Sequence, residues 1–520
     1  MGFRFKKMNI LFVRGPLTLS KYASAAPAVP PIGMAYIAAA LIENNHKVKV
    51  VDVIGQAINE YYPYEEKTLY RGLSFDQIID EIDQDYDVIA LSVMFSQDWP
   101  LTIDLINLLK KRLPKAIVIA GGEHITAEPE GSLVSCEHLD ICVLGEGEHT
   151  VIDVIQNLDN LHDVGGIYFK DSDRRVVKGN LSVRNRNPET FPWPAWDLFP
   201  MENYLSEGHG WGVNRGRSMP IIASRGCPYQ CTFCSNPFMW TTRWVARPVE
   251  DVITEMKFYI KKYKAENFDF QDLTAIVKKQ WIKLFCERLI EENLNVTWQL
   301  PTGTRTEAID DEVAKLLMKS GCRNITYAPE SGSEEVLIRI KKKIKLQHVY
   351  DSAKSCYKAG LDVKFNFIYG FPEDTFKNFF ETTIFTIRLA ILGISDISIA
   401  PFSPYPGSEL FFQLQEKNKI PKKLDMDYYK NIPFSDMSAT VSWCENFDSK
   451  QLNRARNITM IIFYFFSYLF HPSRPFKRIY NFINNIEETR MDKALGDMKR
   501  RKKNLSSNKP SPKSDAVRPF

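Results

Sequence analysis

The chain reads as α/β: a doubly wound parallel sheet, then a partial six-stranded barrel, then a mainly helical region. Three observations predict this. Short β-branched runs alternate with helix-period stretches twice, from Asn9 to about Asp159 and from Pro220 to about Pro406. The strand runs of the first series are continuously apolar rather than alternating, the pattern of strands covered by helices on both faces. A proline- and tryptophan-rich bridge separates the two series, and 520 residues exceed one ordinary core, which suggests two or three domains.

In the first series the strands are Ile10–Val13, Val48–Val53, Val88–Ser92, Ala116–Ala120 and Ile141–Leu144. The helices are Gly33–Asn44, Asp76–Asp83, Pro100–Arg112 and His149–Leu158. This is the order of a Rossmann- or flavodoxin-like sheet, whose ligands sit beyond the carboxyl ends of the strands. Those ends carry small or turn-forming residues: Arg14-Gly15-Pro16, Ser92, Gly121-Gly122 and Gly145-Glu146-Gly147-Glu148. A bridge follows, with a hairpin at Gly166–Lys170 and Arg175–Lys178 and the segment Phe191-Pro192-Trp193-Pro194-Ala195-Trp196, which aromatic packing should hold extended.

The second series supplies strands Ile221–Ser224, Asn267–Gln271, Thr297–Leu300, Asn324–Ala328, Val363–Tyr369 and Asp396–Phe402. Its helices are Val249–Tyr263, Lys279–Glu292, Asp310–Ser320, His348–Ala359 and Asn378–Leu392. Right-handed crossovers roll such a series into a (β/α)6 barrel with its chemistry at the strand C-termini. Beyond Pro406, Ile458–Phe470 is strongly apolar but short of the ~20 residues that span a bilayer, and is expected as a buried helix. The rival is a membrane-surface helix, supported by Arg474, Lys477, Arg478 and the basic run Lys499 to Lys503. The expected domains are 8–163, a linker 164–219, the barrel 220–410, a helical region 411–503 and a disordered tail 504–520 rich in Ser, Pro and Lys.

The formal charge of +4 is the difference of 67 basic and 63 acidic residues, so no charge bias points to nucleic acid. The apolar run Ile10–Val13 is too short for a signal-peptide core, and six of the nine cysteines (Cys136, Cys142, Cys286, Cys322, Cys356, Cys444) are scattered through apolar or helical patterns. A reducing, cytoplasmic location is expected, with peripheral contact at the inner membrane face as an extension of it.

The other three cysteines, Cys227, Cys231 and Cys234, fall within eight residues directly after the first barrel strand. Soft thiolates at x3 and x2 spacing on one loop suit three irons of a cubane cluster, and the absence of a fourth nearby cysteine leaves one iron open. A structural zinc site completed by His209 or Cys322 is the alternative.

Cys-x3-Cys-x2-Cys with Phe233 before the last cysteine resembles the signature of the radical S-adenosylmethionine (SAM) enzymes. The resemblance implies a [4Fe-4S] cluster on Cys227, Cys231 and Cys234, and SAM chelated to its open iron and cleaved to a 5′-deoxyadenosyl radical. It also implies an electron donor such as flavodoxin or ferredoxin. By the same resemblance SAM is contacted by Asp272 (or Gln271) after the second strand, Glu330 and Ser331 of Glu-Ser-Gly after the fourth, and Gly370 of Gly-Phe-Pro-Glu after the fifth. Each of these, taken singly, also reads as a helix cap or turn. Pro404-Tyr405-Pro406-Gly407 recurs in the family without an assigned role.

In the N-terminal sheet, Ser92-Val93-Met94 and Gly121-Gly122 resemble the Ser-x-Leu and Gly-Gly elements that admit the nucleotide tail of cobalamin, with Met94 in place of leucine. Ordinary turn residues are the alternative. Nothing like the Asp-x-His-x-x-Gly motif follows the first strand, so no axial histidine comes from there. Together the two halves resemble cobalamin-binding-domain radical SAM enzymes over about residues 8–440. The resemblance implies methyl transfer to an unactivated carbon of a small-molecule or lipid substrate. Radical oxidation or ring closure, as in anaerobic oxidative cyclases, is the second reading, and a non-catalytic corrinoid- or metal-binding protein the third. A methylthiotransferase needs a further cysteine-ligated cluster, for which the N-terminal domain offers only Cys136 and Cys142.

Overall fold

A computed structural model describes residues 7–21, 23, 27–181, 187–432 and 441–507. Two parallel sheets organise it. The first contains β1 (Asn9–Arg14), β2 (Lys47–Asp52), β3 (Val88–Ser92), β4 (Ile117–Gly121) and β5 (Ile141–Val143). Their spatial order is 2-1-3-4-5, all parallel. That order reverses between β1 and β3, where Arg14 lies opposite Ser92, so the crevice beyond these strand ends is the sheet's natural ligand position. The hairpin β6 (Ile167–Lys170) and β7 (Val176–Lys178), expected within the linker, instead extends this sheet as an antiparallel edge on β5. A small antiparallel sheet of Leu17–Ser20, Tyr61–Pro63 and Thr68–Arg71 was not foreseen.

The second sheet has six parallel strands in sequence order: β8 (Ser218–Ile221), β9 (Asn267–Phe270), β10 (Thr297–Thr304), β11 (Cys322–Glu330), β12 (Asp362–Tyr369) and β13 (Asp396–Pro401). Its helices cover the outside, where Phe268, Phe270, Trp298, Tyr327 and Phe365 are fully buried. β8 begins three residues earlier than expected because Pro220 sits inside it. The strand is an edge, paired only with β9, so the missing proline N–H costs no ladder bond. Ser224 and Arg225 form a separate short ribbon with Val245 and Ala246.

The aromatic segment from Phe191 to Pro200 docks on both halves, with a helical turn at Trp196–Leu198. Trp196 Nε1 donates to Tyr259 Oη (3.0 Å) and Trp193 Nε1 to Asp251 (3.1 Å) on a barrel helix, while Ala195 N donates to the Ala35 carbonyl (2.9 Å) on a helix of the first sheet. The linker therefore ties the two layers together.

The C-terminal helices correct one expectation. The helix Ser449–Phe470 is buried on one side only: Leu452, Arg456, Thr459, Phe463 and Ser467 face the protein, while Ile458, Ile461, Phe465 and Leu469 are exposed. A last helix, Arg490–Ser507, runs into the stretch expected to be disordered, whose remainder from residue 508 lies outside the described residues. No helix among the described residues is long and apolar enough to cross a membrane.

Candidate active site at the barrel mouth

The cysteine loop leaves β8 through the short ribbon Ser224–Arg225 and turns at Gly226, whose φ of +80° favours glycine. Backbone bonds fix its path: Thr232 N donates to the Ile340 carbonyl (3.0 Å), Leu410 N to the Thr232 carbonyl (2.8 Å), and Cys234 N to the Cys231 carbonyl (3.1 Å). Phe233 packs against Phe371, which follows the fifth barrel strand, with ring centres 5.8 Å apart. Burial raises the thiols of Cys227 and Cys231 and pushes that of Cys234 up to about 12. Such thiols ionise when a metal binds them.

None of the nine cysteines is in a disulfide. Among the described residues no three Cys, His, Asp or Glu side chains are gathered as a metal-ion site. The two candidate zinc completions are placed or engaged elsewhere. Cys322 opens β11 at the opposite end of the barrel, and His209 is engaged by Glu207 (3.1 Å).

Two cations stand beside the loop, and sequence reasoning missed both. Lys342 pairs with Glu330 (2.8 Å) and lies 5.6 Å from the Phe233 ring centre. Arg305 lies 3.5 Å from the Tyr229 ring centre and donates to the carbonyls of Lys342 and Lys343 (2.9 Å each). Burial opposes the charge of Lys342, but the Glu330 carboxylate and the nearby Cys231 outweigh it and hold the ammonium above its usual value. The Lys341-Lys342-Lys343 run was the available signal. Three thiolates around a cluster carry net negative charge, and these cations are placed to offset it.

The residues expected to meet SAM divide into engaged and open groups. Asp272 is buried and accepts from Ser224 Oγ (2.5 Å) and Ala223 N (3.2 Å), so its carboxylate ties the cysteine loop to β9; burial pushes it up to about 6. Gln271, beside it, has a buried Nε2 with no partner. Glu330 holds a left-handed φ of +71°, an unusual conformation for glutamate that marks a constrained site. Ser331 Oγ bonds Thr382 Oγ1 (3.1 Å) and accepts from Ser333 N (3.1 Å), a role within the fold. Gly370 has a φ of +87°, its N–H donates to Asp374 (3.0 Å), and a Cβ there would meet the Leu452 side chain at 2.7 Å, so the backbone conformation favours glycine within the fold itself.

Around the barrel and its cysteine loop, further buried polar atoms without partners include Thr232 Oγ1, both amide atoms of Asn236, Thr304 Oγ1 and Asn366 Oδ1. With Gln271 they belong to the cysteine loop and to β9, β10 and β12. Buried polar groups in folded proteins are nearly always satisfied. A polar group bound at the mouth would meet those of the loop and strand ends, Thr232, Gln271 and Thr304, so the residues present there fit a SAM-bearing cluster.

The first sheet meets this loop directly. Arg225 is inserted between Glu148 (2.6 Å) and Glu146 (3.4 Å) of the Gly-Glu-Gly-Glu turn and lies over the rings of Phe191 and Tyr36. Glu123, after Gly121-Gly122, accepts from Ser235, the residue following Cys234. Gly122 has a φ of +116°, and a Cβ would come within 2.4 Å of the Val93 carbonyl oxygen, so the fold itself requires glycine there. Gly121 differs: a Cβ would meet only Val143, at 3.5 Å or more, and the fold leaves room beside it. That opening, next to Ser92 in register across β3 and β4, fits a corrinoid tail. Arg14 is spent on the Val29 carbonyl (2.8 Å), Tyr204 (2.7 Å) and Asp52.

Residues 221–385 match the radical SAM superfamily and residues 22–155 the B12 binding domain. The chain is a radical SAM enzyme with a B12-binding domain. Its cofactors are accordingly a [4Fe-4S] cluster, SAM and cobalamin. An uncharacterized methyltransferase of Pyrococcus horikoshii is 28% identical to this radical SAM enzyme over 470 residues, 88% of this chain and 93% of the relative. Cytidylyl-2-hydroxyethylphosphonate methyltransferase of Streptomyces wedmorensis is 29% identical over 416 residues, 73% of this chain and 77% of the relative. Among solved structures, the radical SAM methyltransferase TsrM of Kitasatospora setae, with cobalamin and a [4Fe-4S] cluster bound, superposes with a TM-score of 0.63 at 15% identity. It covers 79% of this chain and 75% of its own, a likeness of fold.

Proposed function

We propose that this protein is a cobalamin-dependent methyltransferase acting on an unactivated carbon of a small molecule. The observation that carries the reading is the direct contact of the two sites: Arg225 and Ser235, which flank the cysteines, are held by Glu146, Glu148 and Glu123 at the strand ends of the B12-binding sheet. The methyltransferase names of both relatives support it. When bound, the cluster with SAM supplies a 5′-deoxyadenosyl radical and cobalamin supplies the methyl group.

The chain's own part is placement. Cys227, Cys231 and Cys234 would hold the cluster. Gln271, Asp272 and Glu330 would orient SAM, while Ser331 and Gly370 shape the strand ends around it. Ser92, Gly121 and Gly122 would admit the corrinoid tail. Lys342 and Arg305 would balance the charge of the thiolates. A flavodoxin- or ferredoxin-like protein would supply electrons. We also propose peripheral contact with the inner membrane face through the C-terminal region, which would bring a lipid or membrane-held substrate within reach.

The test is metabolite profiling by mass spectrometry of anaerobic cells lacking the gene, complemented with the wild type or with Cys227→Ala. The wild type alone should restore a metabolite carrying one added methyl group. A restored metabolite that loses hydrogen or gains oxygen, with no added methyl, would replace this reading by radical oxidation or ring closure.

A further inference from the structure

A surface helix of a water-soluble domain turns its apolar stripe to the core and its polar face to water. The helix Ser473–Asn484 does the reverse. Its inward residues are polar and bonded to the protein: Arg474 donates to the Ile394 carbonyl and to Ser467 Oγ (2.8 Å each), Arg478 to Asp396 (2.7 Å) and the Ser395 carbonyl (2.8 Å), and buried Asn481 to Asp492 (3.2 Å). These bonds fix the helix about its axis. Its outward residues are Phe476, Ile479, Tyr480 and Ile483, spaced i, i+3, i+4 and i+7, with 74, 59, 60 and 68% of their surface exposed.

The second half of the preceding helix repeats the arrangement. Ile458, Ile461, Phe465 and Leu469 lie on one outward stripe, exposed by 54, 68, 61 and 60%, opposite Thr459, Phe463 and Ser467. The two helices join through His471–Pro472, so the stripes are continuous in the chain. An apolar surface of this extent marks an interaction site.

The charges beside it identify the occupant. The last helix packs along Ser473–Asn484, and Lys499 Nζ lies 5.3 Å from the centre of the Phe482 ring at the edge of the apolar face, donating to Asn485 (2.9 Å). Arg500 is taken up by Glu487 and Asp497 and the charge of Arg501 acts on Tyr61, while Lys502, three residues on from Lys499, is exposed; Glu488 is paired with Lys477. An apolar face bordered by cations matches the acyl boundary and phosphate headgroups of an anionic leaflet. A second copy of the chain would bring a second cationic border to the same face.

We infer that the outward face of residues 458–486, bordered by Lys499 and Lys502, is the surface by which this protein lies on an anionic bilayer. The inference gives residues to the membrane contact proposed above and rests on it. It is independent of methyl transfer, since vesicle binding reads no catalysis.

The experiment is flotation of the full-length protein with vesicles of phosphatidylcholine alone and of phosphatidylcholine with phosphatidylglycerol. Binding is expected to the mixed vesicles and to weaken with salt. The combined Phe476→Ser, Ile479→Ser and Ile483→Ser substitutions should reduce it at least about tenfold. Lys499→Glu with Lys502→Glu should reduce it and flatten the salt dependence. Ile461→Ser with Phe465→Ser, on the neighbouring helix, gives an independent check should the first variant misfold by circular dichroism. No flotation of the wild type would overturn the inference. So would a wild-type dimer in sedimentation that dissociates in the triple variant without vesicle binding, because the face would then join two copies.

Discussion

The Arg225 clamp between the two domains allows a quantitative prediction. The side chains of Arg225, Glu146 and Glu148 retain only 7, 9 and 6% of their exposure. At 2.6 Å and an effective dielectric constant of about 20, the attraction to Glu148 is about 6 kcal/mol before desolvation is counted. Burial works against the guanidinium, yet Glu148 holds it above its usual pKa, so the net balance favours the charged pair. Arg225→Met keeps the contact over Phe191 and Tyr36 but takes the cation from buried Glu148 and from its contact with Glu146, a loss of about 3–5 kcal/mol. Adding Glu148→Gln removes one of those carboxylates, so the double variant should recover about 1–3 kcal/mol relative to the sum of the single effects. Anaerobic urea denaturation followed by tryptophan fluorescence reads each term. Strictly additive single effects would refute the clamp, as would an Arg225→Met midpoint equal to wild type.

The remaining predictions concern the sites. Cys227→Ala, Cys231→Ala and Cys234→Ala should each abolish the charge-transfer absorbance of the reconstituted cluster and lower bound iron; a variant keeping both would show that its cysteine is no ligand. Gly121→Ala should fold within about 0.5 kcal/mol of wild type yet bind cobalamin more weakly by equilibrium dialysis, because only bound ligand fills the space beside it; unchanged affinity would place the corrinoid tail elsewhere. Asp272 is raised from 3.8 to about 6 by burial, so its contribution to stability is full below the unfolded value and is lost as pH rises through about 6. Asp272→Asn should therefore gain about 1.4 kcal/mol more at pH 8 than at pH 5, measured by denaturation of the apoprotein; an equal effect at both pH values would mean that the carboxyl does not titrate there.

Much of the architecture was legible because its signals are local. The continuous apolar strands and the amphipathic helices between them matched both parallel sheets, with most boundaries displaced by a residue or two. Pro220 misled the placement of β8 because an edge strand tolerates proline, and edge position is a property of the whole sheet. The hairpin of β6 and β7 was recognised, but its partner β5 was not, since strand pairing carries no local mark. The cysteine loop was readable from spacing alone.

The polar groups around the cysteine loop were less readable. Asp272 and Gln271 look equivalent in sequence, and only packing shows that one is bonded to Ser224 and the other left open. Lys342 and Arg305 reach the loop from separate turns of the barrel, and Arg225 finds its carboxylates in another domain. The apolar run at residues 458–470 was expected to be buried because its helical period does not reveal which face meets the protein. The bonds of Thr459 with Tyr369 and Thr383, and of Ser467 with Arg474, decide that.

The most direct test of the central claim is the nucleoside output of the anaerobically reconstituted enzyme with cluster, cobalamin, SAM, a reductant and the substrate fraction recovered from the gene-deficient cells. Methyl transfer predicts that 5′-deoxyadenosine and S-adenosylhomocysteine both accumulate with product. Deoxyadenosine formed with substrate while S-adenosylhomocysteine never appears would contradict it.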